Sequence, residues 1–535
     1  MDFRENLSDS SELQLDYTVL DYIDRTVSVT SGMKSFTGKL DIPSTVTHEG
    51  VTYKVTTISS VAFMDCQSLT SVTIPDSVIA IEYAAFCGCD SLTDVSISDS
   101  VTSIGTFAFR NCKSLRMITL PPSVTTLGEG VFCGCVGLKN VIIPKSITNI
   151  TKDTFVGCRL VNVVIPDTVV SIGEHAFAGC FGLTEIVISI PDSVITIGKR
   201  AFAGCGGITD VTFGKSVAAI GDEAFKNCIG LTHVTIPGSV TTIGSSVFTG
   251  CRDLTDIKVS ETNAKYKSID GLLYNREGNV LVCYPCGKKG SAAIPGSVTT
   301  IGEEAFSGCA GLTEITIPHS VRAIRDKAFR GCERLKKIDL PSSVTEVSSA
   351  TFADCSSLIE INVSKENMIY CSIDGVLYNK AVDTLICWPI GKRREVVLPE
   401  SVTSIHPGAF GENFMVRAMT VKSPVPPVFP VSDFFRGDTL NVPTGSEDLY
   451  RDSAPWCQFK TIIGVDFPDE LTPEKEDSLK VEETELLNEG CEKVIIYDAN
   501  GKVVMQSADA VISLETLPKG TYMATTASAF LKFER

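Results

Sequence analysis

Histidine is scarce: the 535 residues hold five, scattered at His48, His175, His233, His319 and His406. No local His cluster exists to build a metal or acid–base site, and HExxH, GxSxG and paired CxxC zinc spacings are all missing. Positive charge is short too, since 47 Lys and Arg face 64 Asp and Glu, for a net charge of −17. Phosphate backbones need clustered cations, so nucleic acid is not an expected partner. No apolar run approaches the roughly 18 residues of a membrane span. The opening "MDFRENLSDSSELQLDY" lacks the apolar segment of a secretory leader, which leaves a cytoplasmic chain or one whose leader is missing here. "FGKS" at 213–216 has Thr209 where a phosphate loop needs glycine. The expectation is a chain with no catalytic residues, no metal and no cofactor.

Cysteine, by contrast, is plentiful and ordered. Twelve of the twenty follow a phenylalanine by three residues, from Phe63/Cys66 to Phe352/Cys355. Phe63, Phe86, Phe109, Phe132 and Phe155 lie 23 apart, and after small irregularities the period resumes at Phe202, Phe225 and Phe248. Gaps of 58 precede Phe306 and Phe410. A fixed period of this length marks a stacked repeat array, in which a core exists only between neighbours.

Within one unit, "LTDVSIS" (92–98) alternates as a strand does, and a proline often ends that strand, as in "TIPDSV" (73–78). "SVTSIG" (100–105) suits a second short strand or extended edge. Ile104, Ala108, Phe109 and Cys112 recur at helical spacing, which predicts one helical turn. The fold class expected is an α/β leucine-rich-repeat solenoid of about 23 residues per repeat, one strand plus a short helical turn, with β-hairpin inserts and a small C-terminal β-sandwich. Stacked thiols in single file suit neither metal convergence nor disulfide geometry, so a buried packing ladder is the leading reading of the cysteines. "CYPC" (283–286) has redox spacing, but its counterpart "CWPI" (387–390) replaces Cys286 with Ile390, which again favours packing.

Domain boundaries follow from composition. Residues 1–50 read as an N-terminal cap and 51–413 as the solenoid, with hairpins near 262–294 and 366–398 announced by Asp270-Gly271 and Asp374-Gly375. These hairpins are expected to project as flaps. Residues 414–465 read as the closing cap, 466–478 as a charged linker, and 479–535 as a small β-sandwich with a turn at Asn500-Gly501.

Candidate binding residues lie on the outward side of the repeated strand. The residue before the inward Val or Ile is acidic at Asp94, Glu185, Asp210, Asp256, Glu314 and Glu360, and is histidine at His233. Beside it runs a threonine column, Thr73, Thr119, Thr212, Thr235 and Thr316. Stacked like charge opposes folding mildly, so such a ridge is either kept for binding or serves as a solvated face against aggregation.

The unit "LTHVTIPGSVTTIGSSVFTGCRDL" (231–254) and the inserts "SIDGLLYN" and "SIDGVLYN" resemble the BspA-like leucine-rich repeat family over about 50–465. The tail resembles a type IX secretion sorting domain at Tyr497, Asp498, Asn500, Gly501, Lys502, Leu514, Leu517, Pro518, Lys519, Gly520 and Tyr522. Together the two resemblances imply an exported protein of the Bacteroidetes kind, at the cell surface or extracellular, binding a host extracellular matrix protein, a glycan or a bacterial surface protein, and expected as a monomer. A structural component of the envelope is the alternative, and a glycan-active enzyme a weaker one.

Overall fold

The computed structural model describes residues 2–6, 14–30, 36–161, 163–182, 186–392, 395–411, 415–429 and 436–467, and in the tail 479–482, 485–488, 494–498, 503–507, 511–514, 517, 519, 521–525 and 530–534. Two compact units result: Met1–Val442 with Ser446–Ile463, and Pro443–Gly445 with Gly464–Arg535.

In the first unit, each regular repeat adds one rung to two parallel sheets. Ser68–Thr73 pairs with Asp94–Ser96 in the register Ser71↔Asp94, Val72↔Val95, Thr73↔Ser96. The two-residue strand Ser103–Ile104 pairs with Ala80–Ile81 on one side and Thr126–Leu127 on the other. Partners are one repeat apart, so side chains of one type stack in columns. Val72, Val95, Ile81 and Ile104 point inward and are buried. The sequence period thereby becomes a spatial one.

The expected helical turn forms in one described rung, as the 3-10 turn Ser349–Phe352, and the other rungs use a different geometry. Between Gly105 and Cys112 the backbone makes three-residue turns, Ala108 N–H to Gly105 O at 3.2 Å, Arg110 N–H to Phe107 O at 3.0 Å and Cys112 N–H to Phe109 O at 3.3 Å. The alternate amides of Phe107, Phe109 and Asn111 bond instead to Glu129, Val131 and Cys133 of the next rung, at 2.8, 3.0 and 2.8 Å. Phe107 and Asn111 have φ of 59° and 60°, a left-handed conformation that no α-helix accommodates. The same two positions recur as Ala84/Gly88, Gly130/Gly134 and Glu223/Asn227. Apolar spacings of three and four therefore came from a series of turns. After Asp65, Asn111 and Asn227 at the second position the next rung uses glycine: a Cβ on Gly134 would lie 2.2 Å from Asn111 Oδ1.

The phenylalanines fill the space under these turns. From Phe63 to Phe248 successive rings stack with centroids 5.2–5.9 Å apart and planes within 17°. The cysteines beside them are buried free thiols. Each donates to a carbonyl of the preceding rung: Cys89 Sγ to Phe63 O, Cys135 to Phe109 O, Cys228 to Phe202 O and Cys355 to Phe329 O, at 3.0–3.2 Å. The thiol is thus more than a small apolar filler, because it adds a second hydrogen bond to a buried carbonyl that already accepts the turn's own N–H, as Phe109 O does from Cys112.

The inserts are not flaps. Tyr266–Ile269, Leu272–Asn275 and Val280–Cys283 form antiparallel pairs, and Val280–Cys283 then pairs in parallel with Thr300–Ile301 as a rung of the array. Tyr370–Ile373, Val376–Asn379 and Thr384–Cys387 repeat the arrangement before Ser404–Ile405. Leu273, Tyr274, Leu377 and Tyr378 are buried. Tyr284 stacks on Phe306 at 4.7 Å, and Trp388 lies 6.3 Å from Phe410. Both precede their partner by 22 residues, so each gap of 58 hides one further rung whose Phe has become Tyr or Trp. Cys286 of the CxxC is buried with its Sγ 3.3 Å from that of Cys309, continuing the thiol file. The Asp-Gly turns form as expected, with Asp270, Gly271, Asp374 and Gly375 all at positive φ.

Charged side chains brace the turn side. Arg200 Nε and Nη2 donate to Glu223 at 2.8 and 3.0 Å, and Lys226 Nζ adds a third bond at 2.9 Å. Hydrogen bonding from Arg200, then from Lys226, holds the Glu223 carboxyl down at about 2. A carboxyl depressed in the folded state contributes stability above its unfolded value and loses it as pH falls toward the folded one. The stability difference between wild type and Glu223→Gln is therefore expected to be full at pH 6, to shrink below about pH 4.5 and to vanish near pH 2, as followed by urea midpoints. A difference independent of pH would contradict the ion network.

Near the end of the first unit, Glu395–Leu398, Met415–Val421 and Arg436–Pro443 pair in parallel, and Tyr450 and Trp456 are buried nearby. Tyr450 OH donates to Ser423 O at 2.8 Å and Trp456 Nε1 to Pro427 O at 3.0 Å. The second unit carries a three-stranded antiparallel sheet, Leu479–Glu482, Glu485–Asn488 and Val511–Ser513. It also carries a four-stranded one, Val503–Ser507, Val494–Asp498, Thr521–Thr525 and Phe530–Glu534. The Asn500-Gly501 turn and most of the 466–478 linker lie outside the described residues.

Candidate binding face

Register decides which candidate side chains meet. The strand Ile208–Thr212 sets Asp210 and Thr212 beside His233 and Thr235 of the next rung, and His233 pairs with Asp256. His233 Nδ1 lies 3.0 Å from Thr232 Oγ1, and Nε2 lies 3.5 Å from Asp210 Oδ2. Lys258 reaches Asp256 at 3.6 Å. Asp210, His233 and Asp256 therefore form one polar group along the strand face, with Thr212 and Thr235 exposed alongside.

The remaining candidates stand apart from this group. Asp94 and Thr73 lie in neighbouring rungs, opposite Ser71 and Ser96. Thr119 is opposite Ile142. Glu314 and Thr316 are paired with Ser291 and Ala293, across the first hairpin from Asp256, because Gly271 O accepts from Ile257 N–H at 2.9 Å and takes the adjoining place. Glu360 is opposite Lys337, whose ammonium lies 3.7 Å from Asp339. Glu185 lies outside the described residues, and the place opposite Asp210 belongs to Val187. The two-residue insertion in "LTEIVISIPDS" displaces the register there. A continuous acidic ridge does not result.

Reading acids alone missed a second feature. Met117, Ile142, Val164 and Val187 point to solvent on consecutive rungs, 59%, 58%, 72% and 56% exposed. They span about 15 Å at strand spacing, and Val187 abuts Asp210. Three of them were legible as departures from the unit, since "VIIP", "VVIP" and "IVIS" place an aliphatic residue where most repeats carry threonine or a polar residue. Among the described residues, no three His, Cys, Asp or Glu side chains are placed to hold a metal ion. No described helix is long and apolar enough to cross a membrane.

A family model described as the BspA type leucine rich repeat region matches the chain in six copies, over residues 56–184, 182–270 and 282–382. Among solved structures, the chain is similar to a leucine rich cell surface protein from Faecalibacterium prausnitzii A2-165, at 26% identity over 67% of this chain and 95% of that one, TM-score 0.38. It is similar to a leucine-rich repeat protein from Bacteroides ovatus ATCC 8483, at 23% identity over 84% and 98%, TM-score 0.44. A leucine-rich repeat protein from Bacteroides capillosus ATCC 29799 is 32% identical over 24% of this chain and 91% of its own, TM-score 0.20. No curated protein matches.

Proposed function

The chain belongs to the BspA type leucine rich repeat family, and on that premise we propose that it is a non-catalytic, exported surface protein that binds a protein partner through its strand face. One observation carries the reading. Four large apolar side chains on consecutive rungs are left in water beside the Asp210–His233–Asp256 group, although the array's interior needs none of them. An apolar centre with a charged border is the anatomy of a protein interface, whereas isolated exposed aliphatics need no explanation. The acid border favours a partner with basic residues around an apolar contact, a host matrix protein being the class that the family implies. Asp94, Thr73 and Thr119 extend this face at one end, while Glu314, Thr316 and Glu360 belong to separate stretches beyond the hairpins. The tail, with Leu514, Leu517 and Tyr522 buried, is read as a β-sandwich sorting module that delivers the chain to the surface.

The test is binding of the full chain to immobilised fibronectin, fibrinogen and mucin. The pairs Ile142→Lys with Val164→Lys, and Asp210→Lys with Asp256→Lys, are each expected to weaken saturable binding at least about tenfold, or 1.4 kcal/mol. Binding that both pairs leave intact would move the function off this face. No saturable binding to any of the three would favour the envelope-spacer reading.

A further inference from the structure

The two hairpin junctions share a plan but differ in what they enclose. At the first, the run of two-residue strands stops at Thr242–Ile243 and resumes at Val280–Cys283, and no ladder joins these two strands. In place of a ladder, Ile243 N–H bonds to Tyr266 OH at 3.0 Å. The ring column stops there as well. Phe248 stacks on Phe225 and Tyr284 on Phe306, but among the described residues Phe248 and Tyr284 do not stack on each other. The result is a half-open cleft of about 270 Å³, walled by Phe248, Leu273, Val282 and Cys283, with Ser246 and Glu304 supplying polar groups.

Both polar groups lack partners among the described residues. Ser246 Oγ is buried without a hydrogen bond, and the Glu304 carboxylate makes no ion pair or side-chain hydrogen bond there. Nearby cations are already engaged: Lys226 Nζ bonds Glu223 at 2.9 Å, and Lys327 Nζ lies 3.6 Å from Asp326. Burial is the main influence on Glu304, raising its carboxyl from the ordinary value; Lys226 and Lys327 oppose this, and Glu303 and Glu223 add to it. A buried hydroxyl and a half-desolvated carboxylate, both unpaired, each cost free energy unless something fills the cleft.

The second junction is an internal control. The same bond recurs there, from Val347 N–H to Tyr370 OH at 3.1 Å. Yet Glu304 is replaced by Gly408, Val282 by the buried Ile386 and Ser246 by Ala350. A space of about 10 Å³ touches Phe352, Cys387 and Gly408 there, bounded otherwise by Trp388, Ile390 and Phe410 and not by Ile386 or Ala350. The second junction thus lacks both the acid and the hydroxyl that line the cleft at the first.

We propose that this cleft binds a primary alkylammonium group, its methylene stem against Phe248, Leu273 and Val282 and its charged end between Glu304 and Ser246. An anion would meet a carboxylate, and a bare divalent cation would find too few oxygens here. An ammonium supplies donors to both unpaired oxygens while its stem covers the apolar wall. The same chemistry occurs in free diamines and in lysine side chains.

Calorimetric titration of the full chain at pH 7.5 tests this with 1,5-diaminopentane, N-acetyl-lysine amide and the neutral 1-pentanol. Saturable binding of either amine is expected, with Glu304→Gln weakening it at least tenfold and Val282→Ile, which copies the second junction and narrows the cleft, abolishing it. Preference for the lysine amide points to a peptide ligand, and preference for the diamine to a small metabolite. Equal binding of pentanol, amine binding that survives Glu304→Gln, or no amine binding at all would overturn the assignment. Ile142 and Asp210 are not part of the cleft, so variants of the strand face should leave this titration unchanged whatever they do to protein binding.

Discussion

Phe225→Ala is expected to lower the unfolding free energy by about 3–5 kcal/mol. The ring is fully buried and sandwiched between Phe202 and Phe248, with centroids at 5.3 and 5.9 Å. Truncation removes apolar contact on both sides and leaves a cavity that cannot collapse, because the flanking rungs are held apart by their own ladder bonds: Phe225 N–H to Val247 O at 3.0 Å and Phe202 N–H to Ala224 O at 2.8 Å. Phe225→Leu keeps most of the volume and is expected to cost much less. Urea denaturation of the three proteins checks both numbers. A cost below about 1 kcal/mol for the alanine variant would mean that the rungs do not depend on the ring column.

Cys228→Ala is expected to cost about 0.5–1.5 kcal/mol through the lost hydrogen bond, in addition to any lost packing. Cys228 Sγ donates to Phe202 O at 3.2 Å inside the core, and alanine leaves that carbonyl with its remaining bond from Cys205 N–H at 3.2 Å. Cys228→Ser retains a donor of similar reach and is expected to lose less than alanine does. Cys228→Val fills space without donating, and should resemble alanine or fall below it. If valine were instead the mildest of the three, the thiols would be fillers and the carbonyl bond incidental. Burial also pushes the Cys228 thiol well above its ordinary value, so the native chain should keep it protonated and unreactive toward alkylating reagents at pH 8.

Repetition made much of this molecule legible from composition and spacing. Any residue at a fixed offset from Phe109 meets its counterparts at Phe86 and Phe132, because stacking in register converts a 23-residue period into a column. The inward Val and Ile, the phenylalanine file and the cysteine file were all readable in that way. Reading failed where chemistry changed without the geometry changing: Tyr284 and Trp388 are rungs, yet without the Phe/Cys pair they passed as insertions.

Three things required the tertiary structure. Helical spacing at Ile104, Ala108, Phe109 and Cys112 is shared by an α-helix and by successive turns. Only the left-handed backbone at Phe107 and Asn111 distinguishes them, and neighbouring rungs enforce it by claiming every second amide. Register near the insertion decided that Val187, not Glu185, faces Asp210, because a local slip reassigns every side chain downstream of it. The cleft at the first junction depends on which residues of separate rungs meet across a broken ladder, Ser246 and Glu304 at one hairpin against Ala350 and Gly408 at the other. A column is a property of the period, and the sequence carries it. A gap between columns is a property of packing, and it exists only once the rungs are stacked.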